Sequence, residues 1–269
     1  MAGWVEGRVA LVTGASRGIG AGIAQRLADQ GARVAIAARS VDGLDATRRA
    51  IEDQGGVALV VPTDLSRRDE VHRMVRTVQR TWGPIEILVN NAGTMGGHDF
   101  TEHYPEKPRD WEAAFRVNTL SRVHACGVVM PAMMERRWGR IVNVSSVAGL
   151  VGYPVHLAYN SSRAAEINYT QAVAREVGRH NITVNAVLPG LIYTDMSMTL
   201  WRHVKRKYGG DRGGDDPKRW FDGVVQGQVP MKRAQTVEDV GWLVAFLCSE
   251  RARNVTGQAI NVDGGMRMH

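Results

Sequence analysis

Two groups of residues in this chain are suited to hold a phosphorylated ligand. The first is a glycine turn. Gly14, Gly18 and Gly20 are spaced Gly-x-x-x-Gly-x-Gly directly after the apolar run Val9-Ala10-Leu11-Val12. That run is long enough for a buried strand and too short for a helix. From Ala21 to Asp29 the residues Ile23, Ala24, Leu27 and Ala28 recur at helical spacing. A tight turn between strand and helix aims backbone N–H groups and a helix N-terminus at one point, which favours an anion such as a pyrophosphate. Ser16, Arg17 and Ile19 ride on this turn. The second group lies after the next strand, Arg33 to Ala38. Strand–turn–helix–strand units commonly place an acidic residue here to hold an adenosine ribose 2′-hydroxyl. Here Ala38 is followed by Arg39 and Ser40. A guanidinium grips phosphate through two parallel hydrogen bonds, and Arg17 adds a second cation. The reading is NADP(H), with NAD(H) as the alternative.

The elements that must position these residues alternate throughout. A helix is expected over 44–54 and a third strand over 57–61, which ends at Asp64 and Leu65. Asp64 can accept a hydrogen bond from an adenine amino group, or cap the next helix, 69–82. A fourth strand, 85–89, leads into Asn90-Asn91-Ala92-Gly93, where small and amide residues let backbone approach a flat ligand. The stretch from Thr94 to Arg109 reads as a long loop carrying His98, His103 and Tyr104, either bordering a pocket or simply exposed. A long helix over 110–136 encloses Asn118, a polar amide that needs a specific partner there. A fifth strand, 140–144, ends at Ser145-Ser146. A helix over 156–179 carries Tyr159 and Arg163, a sixth strand covers 182–187 before Pro189-Gly190, and a helix over 237–249 precedes a last strand at 259–262. Seven strands alternating with helices make one doubly wound α/β sheet, mainly parallel.

Composition excludes several classes. The 269 residues suffice for one large α/β domain, with no linker, repeat or low-complexity tract. No apolar run approaches a membrane span, and the N-terminus lacks the basic-then-apolar order of a signal peptide. The two cysteines, Cys126 and Cys248, sit in apolar stretches and read as buried thiols in a reducing, cytoplasmic setting. The net charge of +7 suits phosphorylated cofactors and acidic substrates. No base-reading motif accompanies it, so neither nucleic acid nor membrane is expected as a partner.

Taken together, these motifs resemble the short-chain dehydrogenase/reductase family in its single-domain, 3-oxoacyl-reductase-like form. The pieces are Thr13-Gly14-x-x-x-Gly18-x-Gly20, Asn90-Asn91-Ala92-Gly93, Asn118, Ser146, Tyr159-x-x-x-Arg163, Pro189-Gly190 with Thr194, and Val255-Thr256-Gly257-Gln258 through Gly265. The resemblance covers nearly the whole chain. It implies a Rossmann fold, a nicotinamide cofactor, interconversion of a ketone or aldehyde and an alcohol by hydride transfer, and a homo-oligomer, tetramer or dimer. It also implies that Tyr159 gives or takes the proton of the substrate oxygen, that Ser146 orients that oxygen, and that Asn118 holds a water in the proton path. Asp64 and Leu65 would lie near adenine, Asn91, Ala92 and Gly93 against the cofactor, and Pro189, Gly190, Ile192 and Thr194 along its nicotinamide side.

One departure matters. The family's tyrosine motif ends in Lys, and here Arg163 stands there. A phenol with an ordinary pKa near 10 is a poor base at neutral pH, and a nearby cation lowers that value. Tyr159 and Arg163 are spaced i, i+4 and so are neighbours on a helix. The resemblance places Tyr159 and Arg163 against the cofactor as well; Arg keeps the charge and can still donate to the nicotinamide ribose hydroxyls, but it is planar, bulkier and never deprotonates. Two outcomes stay open: a working reductase, or a cofactor-binding protein with weakened or lost catalysis. The segment 194–229 corresponds to the family's variable substrate lid. It carries Arg202, Lys205, Arg206, Arg212, Lys218 and Arg219 against Asp211, Asp215 and Asp216. Those cations either meet an acidic substrate such as an acyl thioester or belong to a solvated mobile loop. Trp201, Trp220 and Phe221 either line the pocket or anchor the lid.

Overall fold

The computed structural model describes residues 3–96, 107–152, 156–209 and 214–268. His98, His103 and Tyr104 fall outside the described residues, as do Asp211 and Arg212. The strands are β1 (Val9–Thr13), β2 (Arg33–Ala38), β3 (Val57–Pro62), β4 (Ile87–Asn90), β5 (Gly139–Val144), β6 (Ile182–Pro189) and β7 (Ala259–Val262). They form one seven-stranded sheet in the order β3-β2-β1-β4-β5-β6-β7, and every pairing is parallel. The mainly parallel sheet expected from sequence is thus wholly parallel. Every residue of β1, β4, β5 and β6 is buried, as befits strands covered by helices on both faces.

The helices are α1 (Gly18–Asp29), α2 (Val41–Glu52), α3 (Arg68–Trp82), α4 (Pro108–Ala114), α5 (Ser121–Arg136), α6 (Leu157–Val177), α7 (Asp195–Tyr208), α8 (Pro217–Gln228) and α9 (Val237–Cys248). On one face of the sheet Ile23, Leu27, Leu44, Val240 and Leu247 pack against Val12 and Ile36. On the other, Met74, Val78, Val129, Met133 and Val177 pack against Leu11, Leu88 and Ile141. Strand order reverses between β1 and β4, and ligands of such sheets bind beyond the strand C-termini at this switch point.

Two expectations change. The helix expected over 110–136 is interrupted: Phe115–Leu120 winds as a π-helix between α4 and α5. Such segments break the regular i→i−4 ladder and often mark functional sites; Asn118 sits inside it, fully buried. The segment read as a polar lid or mobile loop holds two helices, α7 and α8. Phe221, Val225 and Val229 form a small apolar cluster with Leu191 and Trp220, so these aromatics anchor the segment. Two of its cations are paired, Lys205 with Asp215 at 2.8 Å and Lys218 with Asp222.

Candidate active site

The glycine turn is built from close backbone approaches. Gly14 has φ +68°, and a Cβ there would lie 2.7 Å from Ala92 Cα. At Gly20 a Cβ would strike the Gly14 carbonyl and the Asn91 amide. Side chains stitch the same place: Asn91 Nδ2 donates to the Thr13 and Gly14 carbonyls at 3.0 and 3.2 Å. Thr13 Oγ1 accepts from Asn91 N and Ala92 N at 3.1 and 3.3 Å. The ends of β1 and β4 are therefore locked side by side. Helix α1 opens on this turn with no side-chain cap from Arg17 and no acidic residue in its first turn. An uncapped, positive helix end beside a side-chain-free cradle fits a dinucleotide pyrophosphate. Ser16 packs its carbonyl against Gly43 at the start of α2, and Ile19 leans on the apolar core.

At the edge of this cradle, Arg39 and Ser40 are exposed. Ser40 caps α2 by accepting from Gly43 N at 3.3 Å. Asp64 accepts from Ser66 N and Oγ at 3.0 and 2.8 Å, whereas α3 begins at Arg68 with Arg67 as its N-cap. The capping reading of Asp64 is thereby corrected: its carboxylate closes a local turn because the helix starts four residues later. Burial alone would raise the Asp64 pKa. The Ser66 hydrogen bonds and the Arg39 and Arg67 charges outweigh it and hold the carboxyl below its ordinary value. Leu65 points into the apolar layer. Arg17 is not free: its Nη1 lies 3.0 Å from Asp195 Oδ2 at the start of α7, and both are largely exposed.

Across the switch point, Tyr159 is buried in the first turn of α6, with the Arg163 guanidinium carbon 4.9 Å from its ring centroid. The cation lies over the π face, an attractive placement. Arg163 Nη1 donates to the Val144 carbonyl at 3.0 Å and to both oxygens of Glu166 at 3.2 and 3.1 Å. Its Nη2 occupies the space where Gly93 lacks a side chain. Glu166 is also paired with Arg122 Nη1 at 3.1 Å. Arg122 Nη2 donates to the Val144 carbonyl at 2.9 Å, and its Nη1 to the Asn118 carbonyl. Burial lowers the proton affinity of both guanidiniums. At Arg163 the attraction of Glu166 and of the Tyr159 oxygen prevails and holds the pKa above its ordinary value. At Arg122 burial prevails over the attraction of Glu166, the like charge of Arg163 adds to it, and the pKa is pushed down to about 10. Both remain charged at neutral pH.

The amide of Asn118 finds the partners its burial demands. Oδ1 accepts from Thr94 N at 2.7 Å, and Nδ2 donates to the Thr94 carbonyl and to Ser162 Oγ, each at 2.8 Å. Ser145 Oγ donates to the Arg163 carbonyl at 2.9 Å, tying α6 to the end of β5. Ser146 Oγ accepts from Ala148 N at 3.1 Å. Beyond β6, the Pro189–Thr194 stretch crosses to the glycine turn. Gly190 leaves no room for a Cβ, which would lie 2.7 Å from Asp263 Cβ and Gln235 Oε1. Ile192 is buried and bridges to Gln235. Thr194 caps α7 in a box with Ser197, and its methyl lies 3.6 Å from the position of a Cβ on Gly18. The sulfur of Met196, in the first turn of α7, lies 4.0 Å from the Tyr159 hydroxyl.

The family description of short chain dehydrogenases matches residues 8–205. The chain belongs to the short-chain dehydrogenase/reductase family. Among its relatives, the 3-oxoacyl-[acyl-carrier-protein] reductase FabG of Aquifex aeolicus is 35% identical over 263 residues, 97% of this chain and 98% of that one. L-Sorbose reductase from Gluconobacter frateurii, solved with NADPH and L-sorbose, superposes at a TM-score of 0.89 with 32% identity, covering 99% and 98% of the two chains. A variant of actinorhodin polyketide ketoreductase with NADPH gives 0.90 with 34% identity and 99% coverage of each. NAD+-bound xylitol dehydrogenase gives 0.88 with 30% identity, covering 97% and 99%. This short-chain dehydrogenase/reductase is thus an oxidoreductase that uses a nicotinamide cofactor.

Sequence reasoning missed four residues of this site: Glu166, Arg122, Thr94 and Ser162. A signal for the first two was available. Arg122 lies i+4 from Asn118 and Glu166 lies i+3 from Arg163, which puts each on the inward face its neighbour occupies.

Proposed function

We propose that the chain is an NADPH-dependent ketoreductase that interconverts a ketone or aldehyde and the corresponding alcohol. The observation that carries this reading is the buried Tyr159 with a permanent cation stacked on its ring at 4.9 Å, at the switch-point end of the sheet. In reduction Tyr159 donates its hydroxyl proton to the carbonyl oxygen, as a general acid. Arg163 sits beside the phenolate that remains and stabilises it. Ser146, its oxygen fixed by the Ala148 amide, donates its own proton to orient the same carbonyl. Asn118 holds the floor of the site through Thr94 and Ser162. When bound, the cofactor supplies the hydride to the carbonyl carbon or removes it from the alcohol. Gly14, Ser16, Gly18, Ile19, Gly20, Asn91, Ala92 and Gly93 would hold its phosphates and adenosine half, and Tyr159 and Arg163 its nicotinamide ribose. Asp64 and the backbone of Leu65 would flank adenine, and Pro189, Gly190, Ile192 and Thr194 the nicotinamide.

The choice of NADPH over NADH rests on Arg39 and Arg17, two exposed guanidiniums beside a cradle with no carboxylate on the residue after β2. The whole chain is read as one catalytic unit, with α7 and α8 as its substrate lid, in a homo-oligomer. Ketones and 3-oxoacyl thioesters are the substrate classes to test first; the relatives named above include a reductase of each kind. Two buried free thiols fit a reducing, cytoplasmic compartment. Tyr159→Phe is expected to abolish turnover while the NADPH dissociation constant stays within about threefold of wild type, since the lost hydroxyl is one of many cofactor contacts. Unchanged turnover in that variant contradicts the assignment.

A second reading is favoured by one observation: Arg163, in the family's Lys position, is committed to Glu166 and Val144. A cofactor-binding protein with weakened catalysis would carry such a pinned cation. It predicts a large gain in rate for Arg163→Lys.

A further inference from the structure

The interior behind Tyr159 holds an ion cluster drawn from two helices, α5 and α6. Arg122 on α5 and Arg163 on α6 share the one carboxylate of Glu166, and all three side chains are at most 4% exposed. Both guanidiniums also donate to the same carbonyl, Val144 O, the last residue of β5. Two positive charges and one negative leave the cluster at +1. Burying three charges is costly unless each is paired and hydrogen-bonded, so a cluster retained beside a buried tyrosine calls for a use.

We propose that Glu166 and Arg122 are positioning residues: Glu166 pins the Arg163 guanidinium between Gly93 and the Tyr159 ring, and Arg122 holds Glu166 in place, so that three residues together supply the single net positive charge that Tyr159 requires. The inference rests on the ketoreductase reading for its catalytic consequence. The geometry supports the pin directly. Nη1 of Arg163 is held by both Glu166 oxygens and by Val144 O, which fixes the plane of the guanidinium. That plane sends Nη2 into the gap at Gly93 and leaves the carbon over the Tyr159 ring. Arg122 holds the same carboxylate through Oε1, and its other contacts, to Asn118 O and Val144 O, fix Arg122 in turn. A planar fork can satisfy the carboxylate, the carbonyl and the ring at once. A Lys ammonium is a point charge on a flexible stem. At position 163 it would be drawn to the Glu166 carboxylate and away from the tyrosine.

The cluster therefore predicts an order of activities that neither a simple structural role nor a degenerate site gives. Purified wild type, Arg163→Lys, Glu166→Gln, Glu166→Asp and the double variant R163K/E166Q are compared for kcat and KM with NADPH and a simple ketone. Glu166→Gln is expected to lose at least about tenfold in kcat with KM within about threefold, because the guanidinium loses its fixed plane and not the substrate its contacts. Glu166→Asp restores part of that loss. Arg163→Lys alone is slower than wild type, and adding Glu166→Gln to it raises the rate, because the ammonium is released from the carboxylate. The same order is expected for NADPH affinity by fluorescence titration without substrate. A protein that binds NADPH in that order yet reduces nothing contradicts the ketoreductase reading and supports the cluster. Melting temperatures accompany each variant. If Glu166→Gln melts below the assay temperature, R122L/E166L removes the carboxylate together with its second guanidinium, and the same tenfold loss is expected. The proposal is overturned if Arg163→Lys matches or exceeds wild type, if kcat survives loss of the Glu166 carboxylate, or if the double variant is slower than both single variants.

Discussion

The two halves of the site are built from opposite materials. The proposed cofactor cradle between β1, α1 and β4 is made of glycines and backbone: a Cβ at Gly14 or Gly20 would collide with chain atoms, and the Arg17–Asp195 ion pair beside it is exposed. The proposed catalytic floor between β5, α5 and α6 is made of buried charge: Arg122, Glu166 and Arg163 are sealed from solvent around the Val144 carbonyl. The halves meet at Gly93, whose missing side chain is replaced by the Arg163 guanidinium. The cradle is fixed by steric exclusion, which tolerates no added atom. The floor is fixed by electrostatics, which tolerates no lost partner.

The largest effect is expected where the two meet. A methyl at Gly93 would lie 3.0 Å from the guanidinium carbon of Arg163 and closer still to Nη2. Because the guanidinium is pinned, Gly93→Ala should displace it from Tyr159 and cost about a hundredfold in kcat, the scale of a small misplacement of a catalytic group. Steady-state kinetics with a ketone checks this; a fall below threefold would mean that the halves are not in register. On the cradle alone, Arg39→Asp should weaken NADPH binding by about tenfold or more, the value of a charge-assisted phosphate contact. NADH binding should not weaken with it, since the new carboxylate can hold a ribose hydroxyl. Equal changes for both cofactors, by calorimetric titration, would remove Arg39 from the phosphate site.

Smaller effects test the edges of the comparison. Asp195→Asn frees Arg17 from an exposed pair worth at most about 1 kcal/mol, so NADPH affinity should rise by no more than about fivefold. The buried thiols give a pH effect of defined sign. Burial pushes Cys126 up to about 11 and Cys248 up to about 12, so the native state favours the neutral thiols. Their contribution to stability is complete below the pKa of an unfolded thiol, near 9, and is lost as pH rises through the native values. The melting temperature should fall progressively from about pH 9 upward, and less steeply in Cys248→Ala than in wild type. Below pH 9 a thiol reagent should find both sulfurs only after unfolding.

The same contrast explains what could be read from sequence. The cradle was legible because steric exclusion writes itself as glycine at fixed spacing: Gly14, Gly18 and Gly20 after an apolar run name the turn, and Arg39 names itself by standing where an acid is expected. Strand existence and order of elements followed from apolar runs such as Val9–Val12, although β4 begins two residues later than its pattern suggested. The floor was legible only in part. Tyr159 and Arg163 are four residues apart on one helix, but Arg122 lies more than forty positions from its partner Glu166, and no spacing rule relates them. The lid misled for another reason. Its charges suggested loop, whereas Phe221 and Val225, four apart, mark the buried face of α8. The π-helical turn at Phe115–Leu120 was not legible, although the amide inside it, Asn118, did announce its need for partners and finds them in Thr94 and Ser162.

The measurement closest to the central claim follows an isotope. The protein is mixed with NADPH deuterated at the transferable nicotinamide position, together with a ketone and, separately, a 3-oxoacyl thioester, and the alcohol product is analysed by mass and NMR. The account predicts one deuterium at the carbinol carbon for at least one of the two, and none when Tyr159→Phe replaces wild type. Tight NADPH binding with no deuterium transferred to either carbonyl class would contradict it.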